Sequence, residues 1–149
     1  MRYLALDLGG KRIGVAVGGD DSGLARPLAI LKRRSRAEDF ARIAALVAQE
    51  GAEALVVGLP LNMDGSRGPQ ALWAEQYAQA LAEHLGLPLH LWDERLTSEE
   101  AGAILAASGR RRRGEPLDDV AAAVILQDFL DARRLSGANQ ANFREHKER

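Results

Sequence analysis

The sequence predicts an α/β fold with a mixed central sheet of about five strands, which opens with an antiparallel hairpin and carries helices on both faces. Two observations support this prediction. The chain begins with two short apolar runs that are separated by a glycine-rich turn, which is typical of a hairpin. Later apolar runs of strand length alternate with segments whose apolar residues recur at helical spacing, which is typical of a sheet covered on both faces.

Each element follows from apolar spacing and turn residues. The turn 9–11 joins the first two strands, and a glycine follows each of the helices predicted to end at 50 and 85. Thr97 with Glu100 forms a capping box, so a helix of about ten residues begins there, and Gly109 ends it. The predicted strands cover residues 3–8, 12–18, 27–31, 54–59 and 87–92. The other predicted helices cover residues 37–50, 69–85 and 117–134.

Length and composition favour one domain. The 149 residues, 46% of them hydrophobic, predict a single domain over residues 1–135 and a flexible polar tail over 136–149. A formal net charge of −1 argues against a coat of positive charge, and the lack of cysteine excludes disulfide scaffolds, cysteine-ligated zinc and thiol nucleophiles. Neither a signal peptide nor an 18-residue apolar run is evident, so we expect a soluble cytoplasmic protein with no membrane partner.

Asp7 is the most informative residue, because it lies in the apolar first strand on the same face as Tyr3 and Ala5. An ionised carboxylate in such a place is costly unless it is paired or bound to a cation. Strand ends are also where open α/β sheets place their sites. The alternative is a structural aspartate that is bonded to the turn 9–11.

Asp93 and Glu94 directly follow the last predicted strand. If that strand lies beside the first strand, Glu94 comes close to Asp7. Adjacent strand residues point to opposite faces, so only one of the two acids can face the same site without a bulge. The alternative is a turn aspartate together with a surface pair of Glu94 and Arg95.

Asp118 and Asp119 open the last predicted helix. Steps of three and four from Asp119 follow the apolar stripe that must pack on the sheet, so Asp119 begins the buried face. The alternative role for Asp119 is a favourable interaction with the helix dipole, which does not require a buried side chain. Asp118 could make that interaction instead.

Carboxylates from three separate segments suit hard cations such as Mg²⁺ or Mn²⁺. Two such ions about 4 Å apart would clamp the attacking water and the leaving oxygen of a phosphodiester. Two basic runs in predicted loops would suit a polyanion, although each alone is typical of a solvated surface. The runs are residues 32–36 and Arg110, Arg111, Arg112 and Arg113. Aromatic residues are only 5% of the chain, which argues against a stacking platform for single strands.

Four stretches resemble, in order along the chain, the motifs of the YqgF/RuvX family of RNase H-like proteins. They are DLGGKRIGVA (7–16), GLPLNMDGS (58–66), DERLTS (93–98) and DVAAA (119–123). The resemblance implies an RNase H-like fold and a metal-dependent nuclease that processes the 5′ end of pre-16S ribosomal RNA. By motif position it implies Asp7, Glu94 and Asp119 as the catalytic and metal-binding acids, with two Mg²⁺ or Mn²⁺ ions as cofactor.

The expected partner is structured RNA or branched DNA. Besides the second basic run, second-rank candidates for its contacts are Lys11, Asn62, Arg67 and Arg95. Whether Asp93 or Asp118 assists the acids is left open.

Three other functions share features with this sequence. The family is also described as a Holliday junction resolvase, which would need paired nicks and hence a homodimer. RuvC-type resolvases, however, have a further acid where this chain has Ala122, and Gly10 also replaces a hydroxyl residue that is common in relatives. A non-catalytic RNA-binding assembly factor could retain the same fold. Actin-like ATPases share the opening hairpin motif but enclose ATP between two such domains, and this chain has the length of one.

Overall fold

The computed structural model describes residues 1–96 and 114–148, with side chains for residues 1–96 and 114–136. The helix predicted from Thr97, its end at Gly109 and the basic run of Arg110 to Arg113 lie outside the described residues. In the part that is described, no helix is long and apolar enough to cross a membrane.

A mixed five-stranded sheet forms the centre of the fold. Its strands are β1 (Arg2–Leu8), β2 (Arg12–Gly19), β3 (Ala25–Lys32), β4 (Ala54–Leu59) and β5 (Leu89–Asp93). The order across the sheet is β3-β2-β1-β4-β5. The first three strands form an antiparallel meander, while β4 is parallel to β1 and β5 is parallel to β4. The carboxyl ends of β1, β3, β4 and β5 therefore lie at one edge of the sheet, which we call the carboxyl edge.

The predicted hairpin and mixed sheet are confirmed, with two shifts of boundary. The strand predicted at 27–31 is longer, because β3 pairs with β2 over most of its length through an irregularity between Val15 and Ala16. The strand predicted from residue 87 begins only at Leu89, since Pro88 has no amide hydrogen to donate to a ladder.

Three helices are described: α1 (Arg36–Glu50), α2 (Pro69–Leu85) and α3 (Asp118–Glu148), and a short 3₁₀ turn follows β5 at Glu94–Leu96. Ser35 caps α1 by accepting a hydrogen bond from the Glu38 amide at 3.1 Å. Gly51 and Gly86 end the first two helices with φ of 66° and 67°, a conformation that glycine adopts at little cost. The backbone of residues 136–148 continues α3, whereas a flexible tail was predicted there.

Helices cover both faces of the sheet, as predicted. On one face α1 and α2 pack on large aliphatic side chains, such as Leu4, Leu6, Val15, Leu55 and Val57. On the other face α3 packs on small ones, such as Ala5, Ala16 and Ala54. Alternating strand residues point to opposite faces, which separates the two sets. Small side chains let α3 lie close to the strands, and this is the face that carries Asp7.

Candidate active site

Asp7 lies near the carboxyl end of β1 in a partly buried cleft, against side chains of α3. Its partner across the hairpin is Gly14 of β2. On the other side, Leu6 pairs with Val57 of β4, so Gly58 follows at the level of Asp7. The carboxylate thus lies between two strand positions that carry no side chain.

Glu94 reaches Asp7 across Gly58. A Cβ atom on Gly58 would lie 2.6 Å from Oε1 of Glu94 and 2.7 Å from Cδ1 of Ile125 on α3. Within this space the carboxyl groups of Asp7 and Glu94 are hydrogen-bonded to each other. The first and last strands, which could have been direct neighbours, are separated by β4. The two acids meet because glycine permits a close approach inside a strand.

The pKa values of both acids lie above their ordinary values, with burial as the largest cause for each. Burial, the charge of Asp7 and the hydrogen bond to it raise the pKa of Glu94 to about 7. Burial also raises the pKa of Asp7, while the hydrogen bond from Glu94 acts in the opposite direction. Two carboxylates in contact cannot both ionise without a strong repulsion. Below a pH of about 7, Glu94 therefore keeps a proton that it donates to Asp7.

The start of α3 lies over Gly14. A Cβ atom on Gly14 would overlap the backbone carbonyl of Asp118, so only glycine allows the helix to approach β2 here. Asp119 is 6% exposed, and its Oδ1 accepts a hydrogen bond from the Val120 amide at 2.9 Å. As predicted, Asp119 begins the buried face of the helix.

Asp118 has a different environment from Asp119. Its Oδ2 accepts a hydrogen bond from Nε of Arg12 at 2.8 Å, in an ion pair across the sheet edge. Its charge nevertheless contributes to the raised pKa of Asp7, so Asp118 lies near the site. The structure therefore places Asp118 as a paired neighbour of the acids.

Asp93 is paired with Arg95. Nη2 of Arg95 donates to Oδ2 of Asp93 at 2.7 Å and Nε donates to Oδ1 at 3.1 Å. These hydrogen bonds lower the pKa of Asp93. Of the two adjacent acids only Glu94, in the 3₁₀ turn that follows β5, is hydrogen-bonded to Asp7.

The oxygen ligands of these acids suit a hard divalent cation, but their arrangement does not form a complete coordination site. Among the described residues, no group of three or more His, Cys, Asp or Glu side chains is arranged to hold a metal ion. Asp7 and Glu94 nevertheless turn carboxyl oxygens toward each other with a proton between them. That proton occupies a place where positive charge is favoured, and such oxygens are the ligands that Mg²⁺ and Mn²⁺ prefer.

Comparison with known proteins identifies the family. The sequence model of the RuvX family, described as "Holliday junction resolvase", matches residues 1–132. The chain belongs to the RuvX family. The family membership predicted from the motifs is thereby confirmed.

Relatives in the RuvX family match over nearly their whole length. A protein of Anaeromyxobacter sp. (strain Fw109-5), named "Putative pre-16S rRNA nuclease", is 48% identical over 136 residues, which cover 89% of this chain and 98% of the relative. A protein of Moorella thermoacetica with the same name is 47% identical over 133 residues, covering 88% of this chain and 95% of the relative. The family description and these names support the predicted nuclease activity.

Solved structures confirm the fold. RuvC of Thermus thermophilus superposes with a TM-score of 0.63 at 18% identity, covering 90% of this chain and 96% of RuvC. The fowlpox virus Holliday junction resolvase gives a TM-score of 0.54 at 12% identity, covering 89% of this chain and 99% of the resolvase. At these identities the likeness shows the RNase H-like fold.

Three of the four second-rank candidates make internal contacts in this RuvX-family chain. Arg95 donates to the Met63 carbonyl at 3.1 Å as well as to Asp93. Nδ2 of Asn62 donates to Oγ of Ser66 at 3.0 Å, and Nε of Arg67 lies 2.8 Å from Oε2 of Glu75. Lys11 is exposed in the hairpin turn. Arg95 and Asn62 therefore stabilise the loop that follows β4.

Four residues in or near the site were not predicted to belong to it: Gly14, Gly58, Arg12 and Arg33. Gly14 and Gly58 carried a signal, since a glycine inside an apolar strand often marks a close approach. The two arginines carried none, because their roles depend on partners far away in sequence. Arg33 donates from one guanidinium nitrogen to the carbonyls of Gly9 and Gly10, each at 3.2 Å, so part of the first basic run is a structural support of the turn after Asp7.

Proposed function

We propose that this protein is a metal-dependent nuclease that hydrolyses phosphodiester bonds of structured nucleic acid and processes the 5′ end of pre-16S ribosomal RNA in the bacterial cytoplasm. The observation that carries the proposal is the hydrogen-bonded pair of Asp7 and Glu94 at the carboxyl edge. Holding two acids in contact is costly to a fold and serves little purpose in a module that only binds RNA. The names of relatives that are 47–48% identical support the choice of substrate.

Asp7, Glu94 and Asp119 are the residues that would hold the cations, which we expect to be two Mg²⁺ or Mn²⁺ ions. When bound, such ions activate a water molecule and neutralise charge that develops on the phosphate. Asp7 and Glu94 must first give up the proton that they share, because metal ligands bind in the deprotonated form.

The surrounding residues position these acids. Gly58 leaves room for the Glu94 side chain, and Gly14 leaves room for the start of α3 with Asp119. Arg12 neutralises Asp118 and so limits the negative charge around Asp7. Ile125 of α3 closes one side of the cleft and keeps water from that side.

The test is a parallel assay of wild type and Asp7→Asn with Mg²⁺ or Mn²⁺ on precursor rRNA, single-stranded RNA and DNA, and a four-way DNA junction. We expect Asp7→Asn to abolish cleavage while the circular dichroism spectrum stays unchanged, because the change removes one charge from an otherwise intact site. Asp21→Asn, an exposed acid at the opposite edge of the sheet, is the matched control and should cut like wild type. Undiminished cleavage by Asp7→Asn would refute the assignment.

A Holliday junction resolvase is the second candidate, favoured by the family description and by the fold shared with RuvC. Ala122, at the position where RuvC-type enzymes carry a further acid, is a residue of α3 that is fully buried against the sheet. A resolvase must make paired nicks and hence act as a dimer. Paired nicks on the four-way junction, made by a species of dimer mass in light scattering, would favour this candidate over rRNA processing.

A further inference from the structure

A groove lies at the carboxyl edge beside the turn that follows Asp7. Residues from the turn, from the segment after β3 and from the first half of α2 line it: Gly10, Arg33, Pro69, Gln70 and Trp73. Asp7 and Gly10 are three residues apart, so their Cα atoms are at most about 11 Å apart. Asp7 faces α3, whereas α2 and Trp73 lie on the other face of the sheet, so a strand that is cut at Asp7 would reach this groove by crossing the carboxyl edge.

The wall of the groove is a planar cation stacked on an aromatic ring. The guanidinium carbon of Arg33 lies 4.7 Å from the centroid of the Trp73 ring. The same guanidinium group is fixed by its hydrogen bonds to the carbonyls of Gly9 and Gly10. Unpaired bases stack on surfaces of these two kinds, guanidinium planes and aromatic rings. The low content of aromatic residues, 5% of the chain, does not exclude a single stacking position of this kind.

The floor of the groove is open and its surroundings are basic. A Cβ atom on Gly10 would have no neighbour within 4 Å among the described residues, so nothing there covers the turn. Lys11, Lys32 and Arg34 are exposed on the adjoining segments. This charge is complementary to the phosphates on either side of a bound base.

We propose that the groove binds an unpaired nucleotide of the substrate strand, across the carboxyl edge from the phosphate that is cut, with its base against Arg33 and Trp73. The proposal rests on the proposed nuclease function and adds a preference to it. Substrates with a single-stranded extension beside the cleavage point bind more tightly than blunt duplexes.

The experiment measures binding in chelator, where no cleavage occurs, and cleavage separately in Mn²⁺. In a Trp92→Phe background, Trp73 is the single tryptophan, and its fluorescence reports on the groove directly. An RNA duplex with a short single-stranded extension and the matching blunt duplex are titrated into this protein, into Gly10→Leu and into Trp73→Leu. Fluorescence anisotropy of the labelled duplexes measures affinity in all three proteins, since Trp73→Leu has no tryptophan in this background. Gly10→Leu fills the groove without touching the core, so it tests the proposal even if Trp73→Leu folds poorly. Leu72→Ala, an exposed neighbour on α2 outside the groove, is the control.

We expect the extended duplex to quench Trp73 and the blunt duplex to leave it unchanged. Both groove variants should weaken binding of the extended duplex about 5-fold or more, and that of the blunt duplex much less. An equal loss on both duplexes, no quenching, or no binding of the extended duplex by wild type would overturn the proposal. Failure of wild type to cut any substrate would instead overturn the nuclease function, while the binding results would still decide whether the groove takes an unpaired base.

Discussion

The carboxyl groups of Asp7 and Glu94 are hydrogen-bonded to each other across β4, a strand to which neither residue belongs. The contact exists because Gly58 contributes no side chain at the crossing point. A site built in this way depends on the size of a residue that takes no part in the chemistry. The carboxylates of the two acids also repel each other unless a cation or a proton lies between them.

Gly58→Ala should therefore impair catalysis without changing any acid. The added methyl group would lie 2.6 Å from Oε1 of Glu94 and 2.7 Å from Cδ1 of Ile125, so Glu94 must move away from Asp7. We expect kcat to fall about 100-fold and unfolding free energy to fall by about 1–3 kcal/mol. Leu81→Ala, at a fully buried position of α2, is the control for lost stability and should keep its kcat below its melting temperature. A Gly58→Ala enzyme with normal kcat would contradict the role of this contact.

Glu94→Gln should change how the stability of the metal-free protein depends on pH. Burial and the charge of Asp7 raise the pKa of Glu94 from 4.5 to about 7. The folded state thus binds more protons than the unfolded chain between these values, so this contribution to stability is complete below pH 4.5 and is lost as the pH rises through 7. Glutamine keeps a donor to Asp7 and does not titrate.

At pH 8 the Glu94→Gln variant should melt roughly 2–4 °C above wild type, a difference of about 1 kcal/mol, because solvent screens part of the repulsion. Below pH 4.5 the two proteins should melt together. Melting curves in chelator across this range provide the measurement, and parallel curves for the two proteins at every pH would show that Glu94 does not hold the proton.

Arg95→Lys should loosen the loop after β4. Lysine keeps the charge but cannot form the paired hydrogen bonds to Asp93 while also reaching the Met63 carbonyl. The amides of Asn62 and Gly65, which are hydrogen-bonded inside the loop, should exchange with deuterium roughly 5- to 10-fold faster, as expected for the loss of about one hydrogen bond. Arg26→Lys, at the opposite edge, should leave this exchange unchanged. If exchange in the loop is the same in both variants, Arg95 does not hold the loop.

Replacement of Arg110, Arg111, Arg112 and Arg113 by serine tests whether the second basic run contacts the substrate. Each phosphate contact that is lost should reduce the slope of log affinity against log salt by about 0.7–0.9. Fluorescence anisotropy at several salt concentrations measures this slope. A double change of Arg2 and Arg26 to serine, at the edge away from Asp7, is the control. An unchanged slope in the fourfold variant would assign the run to solvent.

The fold was predictable because local patterns determine most of it. The hairpin, the alternation of strands and helices, and the glycines at 51 and 86 are all short-range signals, and each is confirmed. The order of the strands is not a local property. The residues of β5 carry no signal that β4 lies between β5 and β1, so the sequence did not reveal that these two strands are separated. The end of α3 was also missed, since its last residues are polar and lack apolar periodicity.

At the site, the candidate acids were easier to predict from the sequence than the residues that position them. Asp7 is conspicuous as a charge in an apolar strand, and Asp119 begins an apolar stripe, as its burial confirms. Composition does not show whether an arginine side chain is paired within the protein or free to bind a substrate. Arg67 and Arg95, both candidates for substrate contacts, are paired with acids of the chain itself. Their part in substrate binding stays a prediction.

The contact between Gly14 and the start of α3 has a consequence for synthesis of the protein. Arg12 and Asp118, which pair beside it, are separated by 106 positions in the chain. Contacts of such long range form late in folding, after the local elements. We therefore expect a nascent chain to carry Asp7 and Glu94 for some time without Asp119, folded in part but without a complete set of acids. The three acids of the proposed site would come together only once the last helix has left the ribosome and docked.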